Sequence, residues 1–251
     1  MNRRLTRTAF AGALVTGLTA LLASSAAASY HENLIREVHD GQGAASDYVM
    51  LQSYSSGQNL VAGKHIVTYD GGGGVLTNYT IPSTVSNAAN QATILISATA
   101  ATPGADFIAG TGATGLNVVN TGGTVCFTDS SITVGLDCVA YVGSNLAAMF
   151  PNPAPSPYGT PLALGSDLND KSVVRRITSN CSTLLEKADD TNSSAADFSI
   201  ASPIARPNAA TPTETTCPTP PATTTKKKCK KKKHRSAESA KKKKCKKKKH
   251  H

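Results

Sequence analysis

The sequence has few of the patterns that specify helices, and this scarcity narrows the range of folds. Its central part is dominated by Gly, Thr, Ser, Asn and Val, and short apolar runs alternate with Gly or Pro. Such runs favour strands and argue against a helical core. After residue 23 no apolar run approaches the roughly 20 residues that a membrane-spanning helix needs. We therefore expect an all-β fold and no transmembrane segment in the mature chain.

Recognisable catalytic motifs are also absent. The part of the chain that should fold contains three histidines, His31, His39 and His65, and none lies in a nucleophile, metal-protease or nuclease motif. His39 precedes Asp40, a pair that can act as a general base, but such a pair after a strand is more typical of a solvated turn. The glycines of residues 70–74 lack the Lys, Ser or Thr of a phosphate loop and are interpreted as a hairpin turn. We expect no catalytic residue, no cofactor and no metal site.

The first 28 residues have the features of a signal peptide. Three arginines precede an apolar segment over residues 9–23, and Ala26 and Ala28 are small residues of the kind found before a cleavage site. The segment is short and interrupted by glycine and threonine, which disfavours a transmembrane anchor. We predict export with cleavage after Ala28, and hence an oxidising environment for the mature chain.

Eight segments are predicted to form strands because they are short apolar or alternating runs. They cover residues 34–38, 48–53, 64–70, 78–81, 92–97, 124–128, 138–142 and 196–200. Their spacing is typical of a β-sandwich. Residues 168–185 are ambiguous, since Val173, Val174 and Ile177 fit a strand while residues 183–188 fit one helical turn.

Charge divides the chain into two unlike parts. Residues 29–225 contain seven basic and fifteen acidic side chains, whereas residues 226–251 contain fifteen lysines, one arginine and one acid. The overall charge of +10 therefore describes neither part. We place a folded domain at residues 29–208, an extended Pro- and Thr-rich linker at 209–225 and a basic tail at 226–251.

The six cysteines are disulfide candidates before they are metal ligands, because an exported chain meets oxidising conditions. Cys126 and Cys138 lie in neighbouring apolar runs, and closing that short loop would stabilise the fold by about 3 kcal/mol. Cys181 and Cys217 form the second candidate pair, which would tie the linker to the domain. Zinc is the alternative for these four, but no close cysteine pair or nearby histidine accompanies them.

Several segments of the acidic part share their order with one known family. They are residues 33–38 (NLIREV), 47–51 (DYVML) and 58–66 (QNLVAGKHI), then 81–82 (IP) with 93–96 (TILI), and finally 189–198 (DDTNSSAADF) with 207–208 (PN). This order resembles the bacterial lamin-tail domain family, with residues 189–198 similar to its closing motif. The resemblance covers roughly residues 34–208, and the closing motif is its most specific part.

The resemblance implies an immunoglobulin-like β-sandwich that serves as a binding or attachment module in exported proteins. The chain, which has no tryptophan, departs from the family pattern at Lys64, where many members place one, and at Met50, where they often carry an acid. In the closing motif, Asp189, Asp190 and Asn192 could supply oxygen ligands to calcium. Asp and Asn in a tight turn more often accept hydrogen bonds from their own backbone amides.

The basic tail contains an exact duplication: residues 226–234 (KKKCKKKKH) recur at 242–250. Such charge density repels itself, so we expect a disordered tail that binds polyanions with steep salt dependence. Ammonium groups around Cys229 and Cys245 favour their thiolates, which could cross-link chains into an oligomer or pair with each other. The residues predicted to anchor or cross-link are Lys226, Lys227, Lys228, Cys229, Lys230, Lys242, Lys243, Lys244, Cys245 and Lys246.

These features together predict a secreted, surface-associated module without catalysis. The tail would hold it to anionic cell-envelope polymers or other extracellular polyanions. Non-specific nucleic acid is a further candidate, although no aromatic residue among the lysines offers a platform for base stacking. The alternative class is a secreted hydrolase or nuclease-associated protein whose active site has no recognisable motif.

Overall fold

A computed structural model of the protein describes residues 29–41, 43–129, 134–143, 158–166, 168–178, 180–181, 183–214 and 217. The predicted signal peptide, the basic tail and most of the predicted linker lie outside these residues. Within the described part, two β-sheets enclose one main apolar core between them. The fold is therefore an all-β sandwich, as the sequence predicts.

The first sheet has six strands. They are β1 (Asn33–His39), β2 (Tyr48–Ser53), β5 (Thr93–Ser97), β6 (Phe107–Ile108), β10 (Ser172–Arg175) and β11 (Phe198–Ala201). Their spatial order is β11-β10-β1-β2-β5-β6. All neighbouring strands are antiparallel except β5 and β6, which are parallel.

The second sheet has five strands. They are β3 (His65–Tyr69), β4 (Val75–Thr80), β7 (Gly122–Thr128), β8 (Gly135–Val142) and β9 (Leu162–Ala163). Their spatial order is β4-β3-β7-β8-β9, with β8 and β9 parallel and the other pairs antiparallel. The short elements outside the sheets are α1 (Ser194–Asp197) and two 3₁₀ turns, Ala44–Ser46 and Lys187–Asp189.

Alternation along the strands decides which side chains enter the core. Val49 and Leu51 of β2 face inward with Val125 and Phe127 of β7, and all four are buried in the main cluster. The residues between them point to the outer faces, as the period of two requires. The outer side chains of β2 are also buried, so a further layer must cover that face.

Residues 202–214, which we call the strap, supply that layer. They follow β11 without helix or strand, and they hydrogen-bond to side chains of β1, β2 and the β5 backbone. Residues 209–214, which the sequence assigns to the linker, belong to this strap. Among the described residues, no helix has the length and apolarity to cross a membrane.

All eight predicted strand segments overlap strands of the structure, most of them with shifted ends. The segment 196–200 begins too early, because Ser194–Asp197 forms α1 and the strand starts only at Phe198. The Asp197 carboxylate accepts the backbone N–H groups of Thr191 and Ser193, which holds this turn. In the ambiguous region, Ser172–Arg175 forms β10 and Lys187–Asp189 forms a 3₁₀ turn.

The predicted glycine turn joins β3 to β4. Asp70 Oδ1 accepts the N–H groups of Gly72 and Gly74, each at 2.8 Å. Only Gly73, at φ 86°, lies in the left-handed region within this turn. The predicted hairpin turn is therefore confirmed, and the aspartate side chain closes it with a single glycine in the left-handed region.

Candidate functional site

Both predicted disulfides of the folded part are confirmed. Cys126 and Cys138 lie directly opposite each other on β7 and β8, with their Cα atoms 4.2 Å apart. They belong to a small apolar cluster on the outer face of the five-stranded sheet. Cys181 and Cys217 form the second disulfide, with a Cα separation of 5.5 Å. This disulfide links Cys217, three residues after the end of the strap, to Cys181, in the segment that follows β10.

A buried guanidinium connects the two sheets. Arg175 of β10 donates to Asp137 Oδ2 of β8 at 2.5 Å, and both side chains are inaccessible to solvent or nearly so. A bulge between Ile35 and Glu37 interrupts the pairing of β1. The Ile35 N–H donates to Asp137 at 2.6 Å, and its carbonyl accepts from Arg175 Nε at 2.9 Å. Phe198 supports the guanidinium, whose carbon lies 4.4 Å from the ring centroid.

The charge state of this pair follows from its surroundings. Burial raises the pKa of Asp137 to about 6, and the charge of Arg175 opposes that rise. At neutral pH the carboxylate is therefore ionised and neutralises the guanidinium. A buried ion pair of this kind is costly to break, because either partner alone would be an uncompensated charge in the core.

The closing motif wraps around the same guanidinium. Asp190 Oδ1 lies 3.5 Å and Asp197 Oδ2 lies 3.9 Å from Nη1 of Arg175. The two carboxylate oxygens of Asp189 accept backbone N–H groups at 2.8 and 2.9 Å. The N–H of Asn192 donates to Asp190 Oδ1 at 3.1 Å. The Asp189 and Asp190 oxygens considered for calcium thus hold a turn around an arginine. Within the described ranges, no cluster of three His, Cys, Asp or Glu side chains could hold a metal ion.

His39 and Asp40 are not in the solvated turn that the sequence predicted. His39 ends β1 and is buried, as is Asp40. The His39 ring stacks on Tyr48 with centroids 4.6 Å apart, and its Nδ1 lies 3.0 Å from the hydroxyl of the fully buried Ser172. Tyr48 in turn donates to Glu37 Oε1 at 2.7 Å. The prediction failed because the outer face of β1 is a covered polar layer rather than a solvent-facing one.

Burial dominates the titration of this polar layer. It lowers the pKa of His39 and raises the pKa of Glu37 and of the Tyr48 hydroxyl. The Ser172 and Tyr48 hydroxyl groups and the Ile204 N–H partly oppose the rise at Glu37. This polar layer therefore favours the neutral form of the His39 imidazole, which lies within hydrogen-bonding distance of the Ser172 hydroxyl.

The strap is fastened along its length to the six-stranded sheet. The Ile204 N–H donates to Glu37 Oε1 at 2.9 Å. Further along, the Asn208 N–H donates to Asp106 Oδ2 at 2.8 Å, and its side-chain amide donates to the Thr93 carbonyl at 2.8 Å. Asn208 is buried. Asn208, which the resemblance places just after the closing motif, therefore makes hydrogen bonds that hold the strap in place.

A cleft of about 310 Å³ lies between the strap and the sheet. Its walls are Arg36, Met50 and Gln52 from the sheet, and Ile204, Ala205, Arg206, Thr213 and Glu214 from the strap. It combines two guanidinium groups and one carboxylate with three apolar side chains. Charged groups from two separate parts of the chain converge in this cavity.

Within the cleft, the hydrogen bonds that other described residues donate to Glu214 reach one of its two carboxylate oxygens. Arg206 donates to Glu214 Oε1 at 2.8 Å, and the Gln52 amide donates to the same atom at 2.9 Å. Burial is the largest single influence on the pKa of Glu214 and raises it. Hydrogen bonds from Arg206, from its own backbone N–H and from Gln52, together with the charge of Arg206, outweigh burial, so the pKa is lowered overall. Burial lowers the pKa of the Arg36 guanidinium.

Sequence reasoning missed this cleft. Arg36 lies in a predicted strand, whereas Arg206 and Glu214 lie in or beside a Pro-rich segment that was predicted to be extended and free of the core. The available signal was the presence of opposite charges inside that otherwise uncharged segment. The predicted anchoring residues of the tail lie outside the described residues. Neither models of known protein families nor characterised protein sequences match this chain.

Proposed function

We propose that this protein is a secreted, non-catalytic binding or attachment module of the lamin-tail type, held to anionic envelope polymers by its lysine-rich tail. The observation that carries the proposal is the separation of charge along the chain. Sixteen basic residues and one acid occupy residues 226–251, while the preceding mature part has an excess of eight acids. A polyanion would therefore attract the tail and repel the sandwich.

The arrangement of polar groups in the sandwich supports a role without catalysis. His39, the strongest sequence candidate for a general base, is buried and packed against Tyr48 and Ser172. The carboxylates of the closing motif are engaged by Arg175 and by backbone amides. These groups stabilise the fold, so they are poor candidates for a reactive site.

Two further features support the proposal, the first its export and the second its non-catalytic role. The two disulfides are compatible with an oxidising compartment. The closing motif that resembles the lamin-tail family assembles around Arg175, which gives its acidic residues a structural role. Mass analysis of the secreted chain should find an N-terminus at Ser29, and an intact N-terminus at Met1 would contradict export through a cleaved signal.

Deletion of residues 226–251 tests the attachment role. We expect the truncated protein to be secreted and folded but lost from the cell fraction, because the sandwich alone repels anionic polymers. Retention is measured by fractionation at several salt concentrations. Equal retention of the truncated and full-length proteins would contradict the proposal.

A matched control separates charge from cross-linking. A variant with all fifteen tail lysines changed to glutamine keeps the length and the cysteines of the tail, and we expect it to be released like the deletion. A Cys229→Ser, Cys245→Ser variant should be retained but become extractable by salt alone. If the lysine variant is retained and the cysteine variant is not, a covalent link rather than charge holds the protein.

The second candidate function is a secreted hydrolase or nuclease-associated protein. Assays of the purified full chain against nucleic acids, phosphoesters and glycans test it directly. Turnover that disappears on a substitution within the sandwich would replace the attachment proposal.

A further inference from the structure

We propose that the cleft between Arg36 and Arg206 is a binding site for a small organic carboxylate with a short apolar group, and that Glu214 is the chain's own competitor for it. This proposal concerns a ligand of the sandwich and goes beyond attachment through the tail. Either proposal can fail while the other holds.

The Arg36 guanidinium has hydrogen-bond donors available for a ligand. Among the described residues no carboxylate oxygen lies within 4.0 Å of its guanidinium, whereas Arg175 and Arg206 both have such partners. Its only hydrogen bond to a described residue is to the carbonyl of Arg175. Arg36 therefore brings a partly desolvated positive charge to the cleft wall, with most of its donors unused. The carboxylates of Glu214 and Glu37 act on this charge without forming an ion pair within 4.0 Å.

Glu214 lies in the cleft beside Arg206, where a ligand carboxylate would bind. Its side chain is only 10% exposed, and Oε1 accepts both hydrogen bonds, from Arg206 and from Gln52. Oε2 is buried without a hydrogen-bond partner among the described residues. A buried, unpartnered carboxylate oxygen costs free energy. Glu214 thus occupies a carboxylate position without using its full capacity, so an external carboxylate can compete with it.

The walls of the cleft define the ligand. Arg36 and Arg206 against Glu214 leave one net positive charge, which suits a monoanion better than a phosphate dianion next to Glu214. The planar fork of a guanidinium matches a carboxylate in two parallel hydrogen bonds. Met50, Ile204 and Ala205 add an apolar side, which favours a ligand with a short hydrocarbon group over one that is charged throughout. The volume of about 310 Å³ suits a small molecule.

Nuclear magnetic resonance titration of the full-length protein tests the site. The probes are sodium butyrate, sodium phosphate and the uncharged butyramide, each followed through the backbone amides of Gln52, Ile204 and Arg206. We expect butyrate to shift these amides in a saturable way, and phosphate and butyramide to bind at least about tenfold more weakly, the effect of one charged hydrogen bond.

Two substitutions with opposite expected signs exclude a merely structural effect. Arg36→Gln should weaken butyrate binding about tenfold or more, because it removes the charged donor. Glu214→Gln keeps an oxygen acceptor for Arg206 but removes the competing charge, so it should strengthen binding about threefold. Lys64→Gln, a basic residue outside the cleft, is the control and should leave the affinity unchanged.

The proposal would be overturned by no saturable shift with butyrate, by equal affinity in the Arg36→Gln variant, or by tighter binding of phosphate. Weaker rather than stronger binding in the Glu214→Gln variant would show that Glu214 supports the ligand instead of competing with it, and would also overturn it. Urea unfolding of each variant verifies that the fold persists. None of these results depends on the tail, so they are distinct from a failure of the attachment proposal.

Discussion

At the scale of single residues, Arg175 connects parts of the fold that lie far apart in the chain. Its guanidinium reaches Asp137 on the opposite sheet and the carbonyl of Ile35 in its own sheet. The carboxylates of Asp190 and Asp197 lie close by. One side chain therefore connects both sheets and the closing motif.

Asp137→Ala leaves Arg175 buried without its nearest counter-charge. We expect the free energy of unfolding to fall by about 3 to 5 kcal/mol, the usual loss when one partner of a buried pair is removed. Urea unfolding at neutral pH, followed by far-UV circular dichroism, measures it. Asp190→Ala is the matched comparison, because Asp190 approaches the same guanidinium at 3.5 Å with a side chain 20% exposed; its loss should be about 1 kcal/mol or less. Equal losses would show that the short Asp137 contact is not special.

His39 makes stability depend on pH. Burial lowers its pKa in the folded state, so the unfolded chain binds the proton more readily. This contribution to stability is complete above the ordinary histidine pKa and is lost as the pH falls through the lower, folded value. His39→Gln has no such titration.

The comparison of wild type with His39→Gln isolates this effect. The free energy of unfolding of the wild type should fall relative to the variant between about pH 7 and pH 5. Buried carboxyl groups such as Glu37 and Asp106, whose pKa values burial raises, titrate in both proteins and cancel in the difference. A difference that stays constant across this range would mean that His39 is not the titrating group.

At the scale of elements, the strap converts an exposed sheet face into a buried layer. The outer side chains of β2, Tyr48, Met50 and Gln52, are all buried. Cys217 of the Cys181–Cys217 disulfide lies three residues after the end of the strap. The strap and this disulfide should therefore stabilise the fold as a unit.

Replacing both Cys181 and Cys217 by serine tests that unit. Loss of the cross-link over 36 residues should reduce the free energy of unfolding by about 4 kcal/mol through the entropy of the unfolded chain. Hydrogen exchange should accelerate at the Ile204 and Asn208 amides, which donate to the sheet. The Cys126→Ser, Cys138→Ser variant is the control, because it should lose about 3 kcal/mol without selective exchange in the strap. Unchanged exchange at both amides would show that the strap holds without the disulfide.

The elements also show what the sequence can and cannot predict. Short continuous apolar runs identify β2 and β5 almost to the residue, since both faces of these strands are buried. β6 and β9 are two-residue strands, too short for any period. The strap is invisible to such patterns, because Asn208 and Glu214 bind partners more than 100 residues away in the chain.

Buried polar residues limit the prediction of the site in the same way. Asp137 lies just outside the predicted strand 138–142, and a charged residue there suggests a strand end. It is instead buried because Arg175 and the β1 bulge satisfy it. The disulfides were predictable, since Cys126 and Cys138 stand in adjacent apolar runs that pair in register.

At the scale of the whole molecule, we assign the stable fold to the acidic sandwich and attachment to the basic tail. The described part is a β-sandwich whose charged side chains are largely committed to its own stability. The tail, outside the described residues, has sixteen basic residues among 26. Binding to a polyanion should therefore depend on salt through the tail alone.

The most direct test of this division is the salt dependence of binding to one defined polyanion, polyphosphate, by three proteins. These are the full mature chain, residues 29–225, and a synthetic peptide of residues 226–251. The account predicts that the full chain and the peptide lose affinity with the same steep slope against salt, by about a thousandfold or more from about 50 to about 200 mM, while residues 29–225 do not bind. Binding by residues 29–225 with a slope like that of the full chain would contradict it.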